Sequence, residues 1–395
     1  MGKLINLKCL KHFFASSSAG GIILLVCVIV SLIIANSSLA GQFSNILNYE
    51  LGTEFKSISL KFPVLIWIND GLMAVFFLLV GLEIKREITE GELSTFRQAS
   101  LPVLAALGGV AVPALIYASF NSSDPHTSAG WGIPMATDIA FALGILSLLG
   151  NKVPAGLKIL LAALAIVDDL IAILIIAVFY SSEIHFNYLG YAAAVFLLQI
   201  VFNRMGLKNL FFYIIPGILM WYLIHHSGIH ATISGVLTAL TLPVNGEKGG
   251  SPLEKLEHML TNPVNFLIMP IFAAANTNIT FESGMIEGLL GSLGLGIVLG
   301  LFLGKPAGIF FMSWISVKLK VSQLPENTNW PHILGLGLLG GIGFTMSIFI
   351  ALLSFKNPEF QTEAKFAVLT ASIVSGICGF MVLNIYNKKK RHYSS

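Results

Sequence analysis

Charge is what this sequence has least of. Only 11% of its 395 residues are Asp, Glu, Lys or Arg, against 55% hydrophobic, and its mean hydropathy is +0.82. Average soluble domains carry about 25% charged residues, so a water-exposed surface cannot be assembled from this chain. Cysteine is scarce too. Cys9, Cys27 and Cys378 show neither a disulfide framework nor a metal-ligand spacing, which leaves them as packing residues.

What is present is a series of long apolar runs. At ~20 residues per crossing, the chain is read as an all-α polytopic membrane protein, a single membrane domain over residues 1–395. Twelve transmembrane helices are predicted, centred near Ile29, Met73, Ala106, Asp138, Asp169, Val195, Pro216, Val236, Met269, Leu299, Gly341 and Ser375. Lys3, Lys8 and Lys11 before the first run, with Ser38-Leu39-Ala40-Gly41 after it, could suggest a cleaved signal. The run from Ala19 to Leu39 is long enough to span, which favours a retained helix.

Basic residues fall unequally between alternate loops. One set holds eighteen of the 23, and the other holds only Lys56, Lys61, Lys356 and Lys365. By the positive-inside rule both termini are cytoplasmic. The remaining basic residue, Lys305, lies inside a span.

Lys305 joins three acids that no loop accounts for. Asp138 sits near the middle of the fourth span, Asp168 and Asp169 near the middle of the fifth, and Lys305 near the middle of the tenth. Each charge at a helix centre costs ~2.5–3.5 kcal/mol on insertion scales. A single Asp–Lys pair locking two helices would use Lys305 and one carboxylate and leave two over. Consecutive helix positions lie ~100° apart, so Asp168 and Asp169 point different ways. One can face Lys305 while the other faces a cavity.

Helix breakers accompany these charges. Pro134 precedes Asp138 by one turn, and the eleventh span carries the glycine cluster Gly335-Leu336-Gly337-Leu338-Leu339-Gly340-Gly341-Ile342-Gly343. Close helix packing is one reading of such glycines. Interrupted helices are the other, because irregular backbone at membrane depth is tolerated where it lines a cavity or is buried in protein. The fourth span is the middle of spans three to five and the eleventh the middle of spans ten to twelve. An inverted repeat, with core repeats near 98–182 and 288–387, would place them so. Thr137-Asp138-Ile139-Ala140-Phe141 and Thr345-Met346-Ser347-Ile348-Phe349 share a Thr-x-x-x-Phe frame.

The chemistry follows from these parts. Broken helices put about half a charge at each exposed end, so Asp138 can offset N-termini and Lys305 carbonyl ends. Carboxylates with backbone carbonyls make a hard oxygen site suited to Na⁺ or Li⁺. Burial favours a protonated carboxyl and a nearby cation favours an ionised one. A proton and a metal ion therefore compete for the same oxygens, which is the basis of a cation/proton antiporter.

The segments Ala136-Thr137-Asp138-Ile139-Ala140-Phe141-Ala142-Leu143-Gly144, Ala165-Ile166-Val167-Asp168-Asp169, Gly304-Lys305-Pro306 and Gly340-Gly341-Ile342-Gly343-Phe344-Thr345-Met346-Ser347-Ile348-Phe349 resemble the signature segments of the NhaA family of bacterial Na⁺/H⁺ antiporters. The likeness runs from about Lys11 to the last span in the same order. It implies that the fourth and eleventh helices are broken and crossed. It further implies exchange of Na⁺ or Li⁺ for more than one proton, activation at alkaline pH, a homodimer, and a place in the bacterial inner membrane. Transport, not catalysis, is implied, with no cofactor and no nucleic-acid partner. Carried over residue by residue, Asp169 and Asp138 would hold the cation with Thr137 nearby, and Asp168 would pair with Lys305 and carry a proton.

Other residues bear less directly on the chemistry. Asp70, Glu83 and Glu87 bracket the second span and read as solvated helix ends with local ion pairs, while the resemblance makes Glu83 and Glu87 part of a cytoplasmic funnel that senses pH. Glu257 and His258 open the ninth span, where a carboxylate is favourable in any case. His225, His226 and His230 lie on the opposite side, and only His230 matches a family segment. The stretch 42–62, with alternation at Ile58, Leu60 and Phe62, reads as a short extramembrane β-hairpin with its turn near Gly52. Alone it is marginal, and pairing with a second copy would stabilise it.

Rival functions fit less of the chain. An intramembrane aspartyl protease would want an Asp in the glycine cluster and has no use for Lys305. A cation channel would want repeated ligand rings and no Lys. A sodium-coupled symporter of an organic anion on a related inverted-repeat fold is the alternative that remains.

Overall fold

An apolar run at membrane depth must satisfy its N–H and C=O groups within itself, which a helix does. The computed structural model of the chain, describing residues 19–55, 58–181, 184–244, 250–281 and 284–394, is accordingly dominated by helices. The expectations attached to Lys3, Lys8, Cys9, Lys11, Lys56 and Lys248 lie outside the described residues. Among the described residues seven helices are long and apolar enough to cross a membrane, and two bent pairs bring the number to nine. The first pair is Ala19–Ala35 with Ala40–Asn48, bent by 112°, and the second is Trp330–Gly340 with Phe344–Ser354, bent by 45°.

Three segments position the site. Ala155–Phe179 is an unbroken α-helix with Asp168 and Asp169 near its middle. Between Ser128 and Leu148 the chain forms a 3-10 helix to Met135, extended backbone at Ala136–Asp138, and an α-helix from Ile139. Pro134 lacks the N–H that a continuous helix would use. Between Trp330 and Ser354 the helix stops at Gly340 and restarts at Phe344. The two interruptions meet directly: the Asp138 N–H donates to the Ile342 carbonyl at 2.7 Å, and the Ser347 hydroxyl to the Ile133 carbonyl at 2.7 Å.

Lys305 arrives on the helical stretch Ser292–Lys318, which contains a π turn over Gly300–Gly304 immediately before it. That stretch packs backbone to backbone on Phe96–Asn121. A Cβ at Gly108 would collide with the Gly308 carbonyl, and one at Gly308 with the Gly108 carbonyl. Glycine is the residue that permits this approach.

Two expectations are corrected. Residues 40–48 form a helix, so the paired strands are confined to 50–63, and the innermost pair is Phe55 with Ile58 rather than one flanking Gly52. Glu50–Leu51 pairs with Phe62–Pro63 and Glu54–Phe55 with Ile58–Ser59. Gly52, at φ +125°, sits in the gap between these ladders, where a side chain would strike the Leu60 backbone. The second correction concerns Glu257. The helix begins at Pro252, and its start carboxylate is Glu254 in a capping box with Ser251. Glu257 is buried further along, where it meets an arginine.

Candidate functional site

Buried polar groups must find partners or stay costly, so the bonding pattern around each carboxylate indicates what it is free to do. Thr137, Asp138, Asp168, Asp169 and Lys305 are all buried. Lys305 Nζ lies 2.8 Å from Asp168 Oδ2 and donates to the Met135 carbonyl, the last of the 3-10 helix. The Thr137 hydroxyl is 2.7 Å from Asp168 Oδ2 and 2.9 Å from the carbonyl of Gly340, which ends its helix. A cation and a hydroxyl thus face the two helix ends where carbonyls are left over.

Asp138 serves the opposite ends. Its Oδ1 accepts from the Phe141 N–H at 3.0 Å, capping the helix that begins at Ile139. Its Oδ2 accepts from the Thr345 N–H at 3.2 Å and the Thr345 hydroxyl at 2.5 Å, at the start of Phe344–Ser354. One carboxylate is shared by two helix N-termini.

Asp169 differs from both neighbours. Among the described residues its Oδ1 is buried without a hydrogen-bond partner, as is the Oδ1 of Asp168. Asp169 also lies within electrostatic reach of Asp168, Glu83, Asp138 and Lys305. Two acceptor oxygens on adjacent residues are therefore unspent in the buried interior.

The remaining candidates fall into other groups. Arg86 bridges Glu257 at 2.8 Å and Glu87 at 3.0 Å, and Glu87 Oε2 accepts from the Glu92 N–H at 2.9 Å. Glu83, one turn before Glu87 on the same helix, connects this cluster electrostatically with Asp169. His258 is exposed. About 25 Å away along the helix, at 1.5 Å per residue, Asp70 Oδ2 lies 3.3 Å from His225 Nδ1. The His230 Nε2 bonds the Tyr180 carbonyl at 2.8 Å. Burial lowers the His230 imidazole below the ordinary histidine value, against the opposing pull of Asp70.

Two partners of the candidate residues are not evident from sequence. Thr345 holds Asp138, and its signal was the Thr-x-x-x-Phe frame it shares with Thr137. Arg86 organises Glu87 and Glu257, and its signal was its place in Glu83-Ile84-Lys85-Arg86-Glu87, one turn from Glu83 and so on nearly the same helix face.

The Lys305–Asp168 pair makes a direct prediction. Lys305→Ala strands Asp168 and uncaps the Met135 carbonyl, and breaking a buried pair costs ~3–5 kcal/mol. The melting temperature in detergent is expected to fall clearly, and the dependence of exchange on membrane potential to change. A variant unchanged in both would show that the pair contributes to neither.

Ionisable side chains buried among membrane-spanning helices mark ion pathways and proton relays, and this cluster defines an ion-coupled transporter. A family model described as Na⁺/H⁺ antiporter 1 matches residues 11–383. The Na⁺/H⁺ antiporter NhaA 2 of Flavobacterium johnsoniae is 70% identical over 391 residues, covering 99% of this chain and 96% of that protein. NhaA 1 of Clostridium beijerinckii is 49% identical over 381 residues, covering 95% of each chain. NhaA of Escherichia coli O1:K1 is 46% identical over 382 residues, covering 96% of this chain and 98% of its own. The chain belongs to the NhaA family of Na⁺/H⁺ antiporters.

Proposed function

We propose that this multi-pass membrane protein is an electrogenic, alkaline-activated antiporter that exchanges Na⁺ or Li⁺ for protons by alternating access. The observation that carries this reading is the pair of unspent oxygens on Asp168 and Asp169. A buried carboxylate without a partner is favourable only when it holds a proton or a cation. Asp169 binds the transported cation, with Asp138 and Thr137 lining the site, and Asp168, the partner of Lys305, carries a proton at the stage of the cycle when that pair is open. Because the two acids are adjacent and coupled, their protons belong to the pair.

The fold on this reading has twelve spans, with the fourth and eleventh broken and crossing at their extended stretches. The core repeats, near 98–182 and 288–387, are inverted relative to each other. The reciprocal Gly108–Gly308 contact between the first helices of the two repeats supports this relation, as does the sharing of Asp138 between their middle helices. Both termini lie on the cytoplasmic side of a bacterial inner membrane. The Arg86 cluster with Glu83, Glu87 and Glu257 forms the cytoplasmic funnel where pH is read, with His258 at its rim, and Asp70 and His230 act from the far side. Two copies associate through the hairpin edges, so deleting 50–63 is expected to halve the mass of the detergent-solubilised particle.

The test is ²²Na⁺ movement in proteoliposomes under an imposed pH gradient, with no organic solute present. Uptake driven by the gradient is expected, and its rate responds to membrane potential. Uptake that appears only when an organic anion is supplied would point instead to symport, whereas the relatives named above are all named as Na⁺/H⁺ antiporters.

A further inference from the structure

Asp138 receives two kinds of hydrogen bond. The Phe141 and Thr345 N–H groups belong to helix starts and would point there with many sequences. The Thr345 hydroxyl is different because it was chosen by the sequence, and at 2.5 Å it is the shortest of the three. It has one proton to give. A threonine in a helix commonly returns that proton to a carbonyl one turn back, and here the proton goes to a carboxylate on another segment, 207 residues away. The contact is fully buried, so water offers no replacement partner.

The consequence concerns how the two interrupted helices move. Oδ1 is held by the segment that begins at Ile139 and Oδ2 by the segment that begins at Phe344. Phe344 N–H is satisfied separately by the Ser372 hydroxyl at 3.1 Å. Removing the Thr345 hydroxyl therefore leaves the Phe344 helix start capped but loosens its link to Asp138. Among the described residues Asp169 Oδ1 bonds neither segment, so the substitution reaches the cation site only through Asp138.

We propose that Thr345 is a positioning residue of the exchange cycle, joining the two helix starts through Asp138 so that they move as one body. The proposal rests on the antiport reading above. It assigns Thr345 to the speed of the cycle, not to the holding of the cation.

The experiment compares Thr345→Val, which keeps size and branching, with Thr345→Ser, which restores the hydroxyl. Maximal rate and KM for Na⁺ are measured at one alkaline pH, together with the melting temperature and the unsubstituted protein in parallel. Losing a charged hydrogen bond used by the moving unit is expected to lower the maximal rate of the valine variant by about tenfold. KM is expected to stay within about twofold, and serine to recover most of the rate. If the valine variant does not fold, Thr345→Cys supplies a weaker donor and is expected to lower the maximal rate at least threefold with KM within about twofold, and a cysteine variant with an unchanged rate would overturn the proposal. A raised KM with the rate retained would overturn the proposal by making Thr345 a cation ligand. Unchanged kinetics, or equal loss in valine and serine variants with lowered melting temperatures, would overturn it as well. Absence of exchange in the unsubstituted protein would overturn the antiport reading instead.

Discussion

Asp169→Asn is expected to abolish both Na⁺ binding and exchange while leaving the protein folded and inserted. Asn has the shape of Asp, so packing is preserved, and what disappears is the charge. Because the Asp169 Oδ1 has no donor, the substitution breaks no hydrogen bond there. It relieves the cost of a buried, unpartnered carboxylate, so the melting temperature is expected to hold or rise. Loss of stability normally accompanies the removal of a buried ionic group that is paired, and the contrast with Lys305→Ala separates the two roles. Calorimetric Na⁺ titration and ²²Na⁺ uptake on the same preparation decide the matter. Normal exchange by the asparagine variant would remove Asp169 from the site.

The second large effect is the response of Na⁺ affinity to pH. If protons and Na⁺ compete for the oxygens of Asp168 and Asp169, apparent affinity falls on acidification below the site's own titration. The fall is ~10-fold per pH unit for each proton displaced, and approaches ~100-fold per unit for two. The sign is fixed by the chemistry: acid fills the site with protons, so more Na⁺ is needed to displace them. Saturating Na⁺ then restores the maximal rate at acid pH. Transport current against Na⁺ concentration at several pH values measures this. A maximal rate that collapses on acidification at constant apparent affinity would transfer control to the cluster of Arg86, Glu83, Glu87 and Glu257.

Much of the candidate site is legible in the sequence because charge within an apolar run is conspicuous. Asp138, Asp168, Asp169 and Lys305 stand out for that reason alone, and the structure brings them together with Thr137. What stayed hidden depends on which atoms touch across long separations. Nothing in Thr345 distinguishes a hydroxyl that donates to Asp138 from one that closes on its own helix. The partner choice of Arg86 was hidden similarly, since Glu257 lies far from it in the chain. The hairpin is legible as alternation, but its innermost pair, Phe55 with Ile58, is not. Gly52 marks a break between two short ladders, and a glycine with positive φ serves such a break as readily as a turn. The short helix over Ala40–Asn48 is not legible because its polar residues carry no span-like signal.

The π turn over Gly300–Gly304 has a consequence for the lysine that follows it. Such a turn holds one residue more than an α-helical turn, and one residue corresponds to ~100° of rotation about the axis. The stretch from Ser292 to Lys318 therefore has two independent phases. The earlier part is set by packing at Gly296 against Tyr117 and Asn121, the later part by the Gly108–Gly308 contact. Lys305, at the junction, takes its direction from where the surplus residue is stored. If that surplus passed along the chain by a single position, the ammonium would swing away from Asp168 with no helix unwound, in the manner of a combination lock turned by one notch.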